Sequence, residues 1–326
     1  MTSEPARVIT SEFLYENDPP TRSCHASTIV EARQGLLAAW FGGSEEGHPD
    51  VVIYLARREG GRWSKPVRVV DGVQPDGQRF PCWNPVLVRP RVGPILLFAK
   101  VGPSPSRWWG VVTTSEDDGS TWSKVRRLPD GILGPIKNKP IELADGPLLC
   151  PSSQEDPKLG WRVFLEKTGD LGMTWEQVGP LNDGIEIAAI QPSILRYPGA
   201  RLQLLCRTRQ GRLAESWSDD RGQTWSPMIL TAVRNPNSGT DAVTLADGRQ
   251  VLVFNPVERG RTPLVVAISG DGRNWETMVT LEDQPGEYSY PAVIQSAEGL
   301  IHAAYTWKRS RIRHVVIDPG LRQPGG

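Results

Sequence analysis

The chain has no apolar run of the ~18 residues that a membrane-crossing helix needs, and no surplus of either charge. Its 37 lysines and arginines are matched by 37 aspartates and glutamates, so no basic face argues for a nucleic-acid partner. Cysteine is scarce: Cys24, Cys82, Cys150 and Cys206 lie far apart, with no CxxC pair and no metal-like cluster. Such spacing predicts no zinc site and no cofactor, although a structural calcium in a central channel would leave little trace in sequence. The amino terminus, MTSEPARVITSE, lacks the basic and apolar regions of a signal peptide. These scarcities predict a cytoplasmic protein with free thiols and no membrane partner. What is plentiful is glycine (33), proline (29) and tryptophan (12) in 326 residues. That is the composition of many short strands with tight turns and aromatic packing between sheets.

The chain repeats itself. Ser218–Trp225 (SDDRGQTW) has the pattern Ser-x-Asp-x-Gly-x-Thr-Trp, which returns at Ser115–Trp122, at Thr168–Trp175 with Thr for Ser, and one residue short at Ser269–Trp275. A worn copy is Arg58–Trp63. The tryptophans at 63, 122, 175, 225 and 275 are 59, 53, 50 and 50 residues apart, a period that signals stacked or radial repeats. Asp and Ser accept hydrogen bonds from nearby amides, and Gly supplies a positive φ, so each box reads as a hairpin turn.

A second repeat is offset from the first: apolar strand, glycine turn, apolar strand. The turn glycines at 35, 93, 146, 199, 248 and 299 give six copies averaging about 53 residues. Each copy predicts a central hairpin (strands a and b) followed by a more polar pair (c and d) that turns at the box. Four strands in six repeats predict an all-β, six-bladed β-propeller with antiparallel blades over about 20–318. RIRHVVID (311–318) ends the sixth copy without a box, and RVITSEFLY (7–15) is apolar enough to supply the missing strand and close the ring. With no linker in sight, residues 1–326 are expected to form one domain.

In this topology the a–b turns and boxes share one rim, whereas the d–a and b–c connections converge on the mouth of the central channel. Residues before strand a are His25, Asn84, Asn138 with Lys139, Glu186 with Gln191, Asp241, and Tyr288 with Tyr290. After strand b come Glu45, Glu46, His48 and Asp50, then Lys100, Gln154 with Glu155, Arg207 with Arg209, Asn255 with Arg259 and Arg261, and Lys308 with Arg309. Arginines that can fork a carboxylate, carboxyls that can pass a proton and tyrosines around one opening suit an anionic, hydroxyl-rich ligand. Trp108 and Trp109 read as inter-blade packing or as a surface for a sugar face.

On these boxes and hairpins the chain resembles the sialidase superfamily, whose boxes are called Asp-boxes or bacterial neuraminidase repeats. The resemblance implies an arginine triad for the substrate carboxylate, an Asp acid/base, and a Tyr nucleophile paired with a Glu. EYSYPAV (287–293) is similar to the nucleophile segment, implying Tyr288; LLCRTR (204–209) implies Arg207 as the second arginine. FNPVERGR (254–261) resembles the segment of the third, Arg259 or Arg261, and GSEEGHPDVVIYLARR (43–58) places Asp50 where the family keeps its acid/base. Glu186 would partner Tyr288, with Gln191 in a nearby register. The family's first arginine opens blade one in an Arg-Ile-Pro motif, where this chain has Cys24-His25-Ala26-Ser27. Histidine cannot fork a carboxylate, but it is suited to proton transfer, and related propellers acting on uronic-acid glycans do place a histidine there.

The leading expectation is therefore a glycoside hydrolase removing a terminal acidic sugar, sialic or uronic, from a glycan. Asn84, Gln191, Lys139, Asp241, Tyr290 and Arg309 would join the arginines in binding it. The alternatives are a lyase, in which an arginine neutralises a uronate carboxylate while His25 or Tyr288 removes the C5 proton, and a non-catalytic glycan-binding propeller.

Overall fold

In the computed structural model, which describes residues 5–15 and 20–320, six antiparallel sheets are arranged as the blades of a propeller. Residues 1–4, 16–19 and 321–326, which belong to the span expected as one domain, lie outside the described residues. The inner strands a are Ser23–Ala32, Cys82–Val88, Ile141–Glu142, Ala189–Arg196, Asp241–Thr244 and Tyr288–Gln295. The second strands, Gly35–Gly43, Ile95–Val101, Leu148–Asp156, Leu202–Thr208, Gln250–Phe254 and Ile301–Trp307, are almost wholly buried. In blade one the outer edge is split, and both Arg62–Trp63 and Val67–Val70 pair with Val52–Glu59. Six blades of four-stranded antiparallel sheet match the architecture expected from the repeats.

The boxes make the c–d turns by the chemistry of their side chains. Ser218 Oγ accepts from Gly222 N at 2.8 Å and donates to Asp220 Oδ1 at 2.8 Å. The Asp220 carboxylate then takes the amides of Gln223 and Thr224 and the Thr224 hydroxyl. Asp117, Asp170 and Asp271 repeat the arrangement. Gly222 stands at φ +86, which a side chain rarely tolerates, and a Cβ there would press on Leu149 of the preceding blade at 2.9 Å. Trp225 donates its indole N–H to Gly222 O at 3.1 Å and packs into the apolar layer between blades three and four. A box is thus both a turn and a wedge between neighbours.

The ring closes through both ends of the described chain. Arg7–Phe13 pairs antiparallel with Arg311–Asp318 as the outer strand of blade six. Glu12 on that strand accepts from Arg58 Nε at 2.8 Å and Trp63 Nε1 at 3.1 Å, both in blade one. It also meets His314 Nδ1 at 3.2 Å, and His314 Nε2 lies 3.0 Å from His302 Nδ1. The hydrogen bond from His314, opposed by burial and aided by Arg58, holds the Glu12 carboxyl down at about 2. Burial, followed by His314 and Arg58, pushes His302 down to about 4.

Both groups bind fewer protons folded than unfolded, so the closure is fully stabilising above the ordinary histidine value and weakens as pH falls. His302 alone accounts for a loss of about 3 kcal/mol on going through its folded value. The expected outcome is a steep fall in melting temperature between pH 7 and 4.5, reduced by roughly half in His302→Asn; equal slopes in the two proteins would refute this account.

Candidate active site at the channel mouth

The geometry of the mouth begins with a kink repeated in four inner strands. Pairing of strands a and b slips between His25 and Thr28, Trp83 and Val86, Ile190 and Ser193, and Ser289 and Ala292. Within these bulges Ala26, Asn84, Gln191 and Tyr290 have φ of 54, 38, 54 and 51°. A bulge breaks the in–out alternation of a strand and re-aims one side chain, and left-handed backbone at a non-glycine residue costs on the order of 1–3 kcal/mol. Of these four, Gln191 and Tyr290, in blades four and six, turn their side chains to a common partner, Arg207.

Tyr290 is the centre of what they gather. Its phenol oxygen accepts from Arg207 Nη1 at 2.5 Å, and the same Nη1 donates to Gln191 Oε1 at 3.2 Å. The His25 ring lies 4.1 Å from the Tyr290 ring, centroid to centroid. The Arg207 and Arg261 guanidinium carbons stand 5.4 and 5.8 Å from the Tyr290 centroid, and Lys137 Nζ 5.8 Å. Arg207 is 7% exposed, forms no ion pair within 4 Å among the described residues, and leaves Nε without a partner. Arg261 and Arg309 share Glu287, at 2.7 and 2.5 Å, and Arg309 also pairs with Glu46. The Glu46 contact ties the 44–51 loop to Arg309.

His25 is placed by one main-chain and one side-chain contact: Cys24 N donates to Arg309 O at 2.8 Å, and His25 Nδ1 lies 3.0 Å from Thr306 Oγ1. Its Nε2 has no partner. Burial first, then Arg309, Arg261, Arg207 and Lys137, hold its imidazolium far below the usual histidine value, so the ring is a neutral base. Beneath Tyr290, Lys137 donates to Asn138 Oδ1, Thr240 O and Pro291 O at 2.8, 2.9 and 2.5 Å. Burial pushes Lys137 down to about 7, against the pull of Asp241.

Several expected residues lie elsewhere or are already engaged. Tyr288 is 1% exposed and packs in the apolar layer between blades five and six with Val251, Val293 and Tyr305, so Tyr290 is the tyrosine of the mouth. Glu186 is exposed, its carbonyl accepts from Gln210 Nε2 at 3.1 Å, and among the described residues it forms no hydrogen bond with either tyrosine. Lys139 and Asp241 are bonded to each other at 2.8 Å, and Asp241 also takes Val293 N and Ser193 Oγ, which leaves little for a substrate. Of the two alternatives for the third arginine, Arg259 is exposed and Arg261 faces Tyr290. Asn84 is buried at its bulge. Lys100 is fully buried on Pro135 O, away from the mouth, and Asn255 holds Pro263 O and Tyr288 O.

Asp50 is exposed, and its carboxylate takes the Ser44 amide and hydroxyl and contacts His48. Burial would raise it, but those bonds win and hold it below the usual aspartate value. Glu155 behaves oppositely: burial raises it, although Arg207 and Arg209 pull it back. Those two guanidiniums lie 5.4 and 4.1 Å from the Trp161 ring, opposite Glu155 in the hairpin. Trp161 and Lys137 are the residues that reading the sequence misses. Lys137 was signalled only by its neighbours Asn138 and Lys139.

A six-bladed propeller whose mouth gathers cations around a tyrosine and a neutral histidine defines the class of protein. The chain belongs to the BNR repeat-like domain family, whose model matches residues 34–303. It is 22% identical over 232 residues to an anhydrosialidase of the leech Macrobdella decora, a match covering 61% of this chain and 30% of that protein's length. Among solved structures it is similar to a Dyadobacter fermentans protein of unknown function, with TM-score 0.79, 16% identity, and 96% and 99% of the two chains covered. It is also similar to the NanB sialidase of Streptococcus pneumoniae, with TM-score 0.75, 12% identity, and 94% and 70% covered. At such identities the structures share the fold.

Lys137→Met would leave three buried acceptors unpaired beneath Tyr290. The expected loss is about 2–4 kcal/mol of stability, read from the midpoint of denaturant unfolding; an unchanged midpoint would remove Lys137 from the account of how Tyr290 is held.

Proposed function

We propose that the protein is a sialidase-like, carbohydrate-active enzyme that cleaves the glycosidic bond of a terminal acidic sugar at this mouth. The carrying observation is Arg207, nearly buried, without an ion pair among the described residues and bonded to the Tyr290 phenol. A sugar carboxylate entering beside Tyr290 meets Arg207 and Arg261, and guanidinium binds carboxylate through paired N–H donors. The curated relative and several fold neighbours named as sialidases support a glycan substrate.

In the hydrolytic reading Tyr290 attacks the anomeric carbon as its phenol proton passes to His25, the bond to the leaving oxygen breaks, and water then hydrolyses the glycosyl–tyrosine bond to restore the phenol. Where the anomeric carbon itself bears the carboxylate, as in a sialic acid, a neutral phenol approaches it without the repulsion a carboxylate would meet. Glu155, which burial pushes toward its protonated form, supplies the proton to the leaving oxygen. Asp50, held ionised by Ser44, is less suited to that step than the sequence resemblance implied. One observation favours elimination from a uronate as a second reading. The group beside the Tyr290–Arg207 pair is Gln191, an amide that cannot take the phenol proton, whereas His25 is neutral and its buried Nε2 has no partner. In that case an arginine neutralises the carboxylate, His25 removes the C5 proton, and the C4–O4 bond breaks as the leaving oxygen is protonated.

A panel of sialosides and uronate glycans, with products identified by mass spectrometry, tests the proposal. Tyr290→Phe is expected to lower turnover by about a thousandfold and Tyr288→Phe by less than about threefold. A reversed order would reject the assignment, and binding without turnover of any member would make the protein a lectin. A product absorbing in the ultraviolet identifies elimination. If hydrolysis operates through Glu155, kcat falls as pH rises above the raised Glu155 value, and Glu155→Gln removes that limb.

A further inference from the structure

Blade one carries a pocket of ≈ 330 Å³, enclosed by the chain ahead of its inner strand, its b–c loop, its outer strands and the connection to blade two. That volume falls in the ~300–1,000 Å³ range of small-molecule sites. Three of these segments each contribute an arginine: Arg22, Arg68 and Arg79. Arg79 is presented by a small hairpin, in which Phe80 N donates to Gly72 O at 3.0 Å and Gln74 N to Gln78 O at 2.8 Å. Arg68 stands opposite Tyr54 in the pairing of Val67–Val70 with Val52–Glu59. Arg22 follows Thr21, whose Oγ1 would lie 2.6 Å from a Cβ at Gly42, so a glycine there lets the 20–22 segment close on the end of strand b.

All three arginines are exposed, and none has a hydrogen bond or ion pair among the described residues. Arg57 and Arg58, on the strand that carries Tyr54, are by contrast paired with Glu59 and Glu12 at 2.7 and 2.8 Å. Tyr54 supplies a second, independent feature. It is 5% exposed, with its ring stacked 6.2 Å from that of Trp40 in the apolar layer between blades six and one. It lines the pocket, and its phenol has no hydrogen-bond partner among the described residues. A nearly buried O–H fixed by packing and left unpaired is a donor that lacks its acceptor. Guanidiniums on three sides make that acceptor an anion. Asp50 is the one carboxylate lining the pocket, and it is engaged by Ser44 and His48. Three guanidiniums against one carboxylate leave two positive charges to balance, and a phosphate ester carries about −1.5 to −2 near neutral pH with three acceptor oxygens.

We propose that this pocket binds a phosphate group, with Arg22, Arg68 and Arg79 around its oxygens and the Tyr54 phenol donating to one of them. The assignment is independent of the reaction at the mouth, because Tyr290, Arg207 and His25 do not line this pocket. The 44–51 loop nevertheless joins the two places, carrying Asp50 to the pocket and Glu46 to Arg309. The group arrives either as free phosphate or as a phosphate ester on a sugar, and both present the same oxygens.

Calorimetric titration of the full chain tests the site with four probes at one ionic strength: inorganic phosphate, a hexose 6-phosphate, the hexose 6-sulfate and the unmodified hexose. Both phosphate probes are expected to bind, and the unmodified hexose is not. An ester at least about tenfold tighter than inorganic phosphate makes the sugar ester the source; a smaller or opposite difference makes it the free ion. Arg68→Gln and Arg79→Gln should each weaken phosphate binding about tenfold, and Tyr54→Phe about threefold. Arg62→Gln, on the same blade but outside the pocket, should change it less than about twofold. Substitutions at these exposed arginines leave the melting midpoint near that of the wild type, so lost binding is separable from lost folding. The inference is overturned if neither phosphate probe binds, if the sulfate ester binds more tightly than the phosphate ester, or if binding is unchanged in Arg68→Gln and Arg79→Gln. A loss in Arg62→Gln equal to that in Arg79→Gln would overturn it too, by reducing the site to overall charge.

Discussion

The mouth depends on a polar lashing across the channel axis. Asp241 of blade five is bonded by Lys139 of blade three, Ser193 of blade four and the Val293 amide of blade six. Asn138 reaches Gln191 O, Pro192 O and Ser193 Oγ in blade four. Lys137 reaches Thr240 O in blade five and Pro291 O in blade six. A propeller's blades touch mainly through apolar faces, which slide easily; directional bonds to main-chain carbonyls fix their relative heights. Buried and fully engaged, these groups rigidify what an incompletely satisfied network would destabilise. The backbone kinks at Gln191 and Tyr290 are held in place by bonds to their own carbonyls or to the next residue's.

Upon that floor the electrostatics follow. Arg207, Arg261, Arg309 and Lys137 all bear on His25, and in a site largely shielded from water their repulsion of a proton is strong. The histidine is neutral because of its burial first and its cationic neighbours second, and the polar partners of Arg207 are Tyr290 and Gln191, not a carboxylate. Glu287 and Glu46 meanwhile restrain the two outer arginines. The same neighbourhood thus keeps one base uncharged and one cation available, a pairing suited to chemistry beside a carboxylate.

The tyrosines show where reading the sequence stops. In a regular strand, side chains two apart point to one face, so Tyr288 and Tyr290 would be equivalent. The bulge between Ser289 and Ala292 breaks that equivalence, leaving Tyr288 in an apolar layer and turning Tyr290 to Arg207. Resemblance to a motif pointed to the first, and backbone geometry selects the second. Lys139 and Asp241 illustrate the converse: correctly expected near the channel, they bond each other, a choice invisible to spacing because they are 102 residues apart.

By itself the sequence determined the number of blades, the strands within them, the box turns and the ring closure by residues near the amino terminus. Those features rest on local rules of turn chemistry and apolar periodicity repeated about every 50 residues. It also suggested that His25, Arg207, Gln191, Arg261 and Arg309 share one rim, because topology carries the connections before strand a and after strand b toward the mouth. Only the tertiary structure decided which of them meet. Partner choice across blades depends on bulges, side-chain reach and burial, and these are set by contacts among residues scattered from 25 to 309.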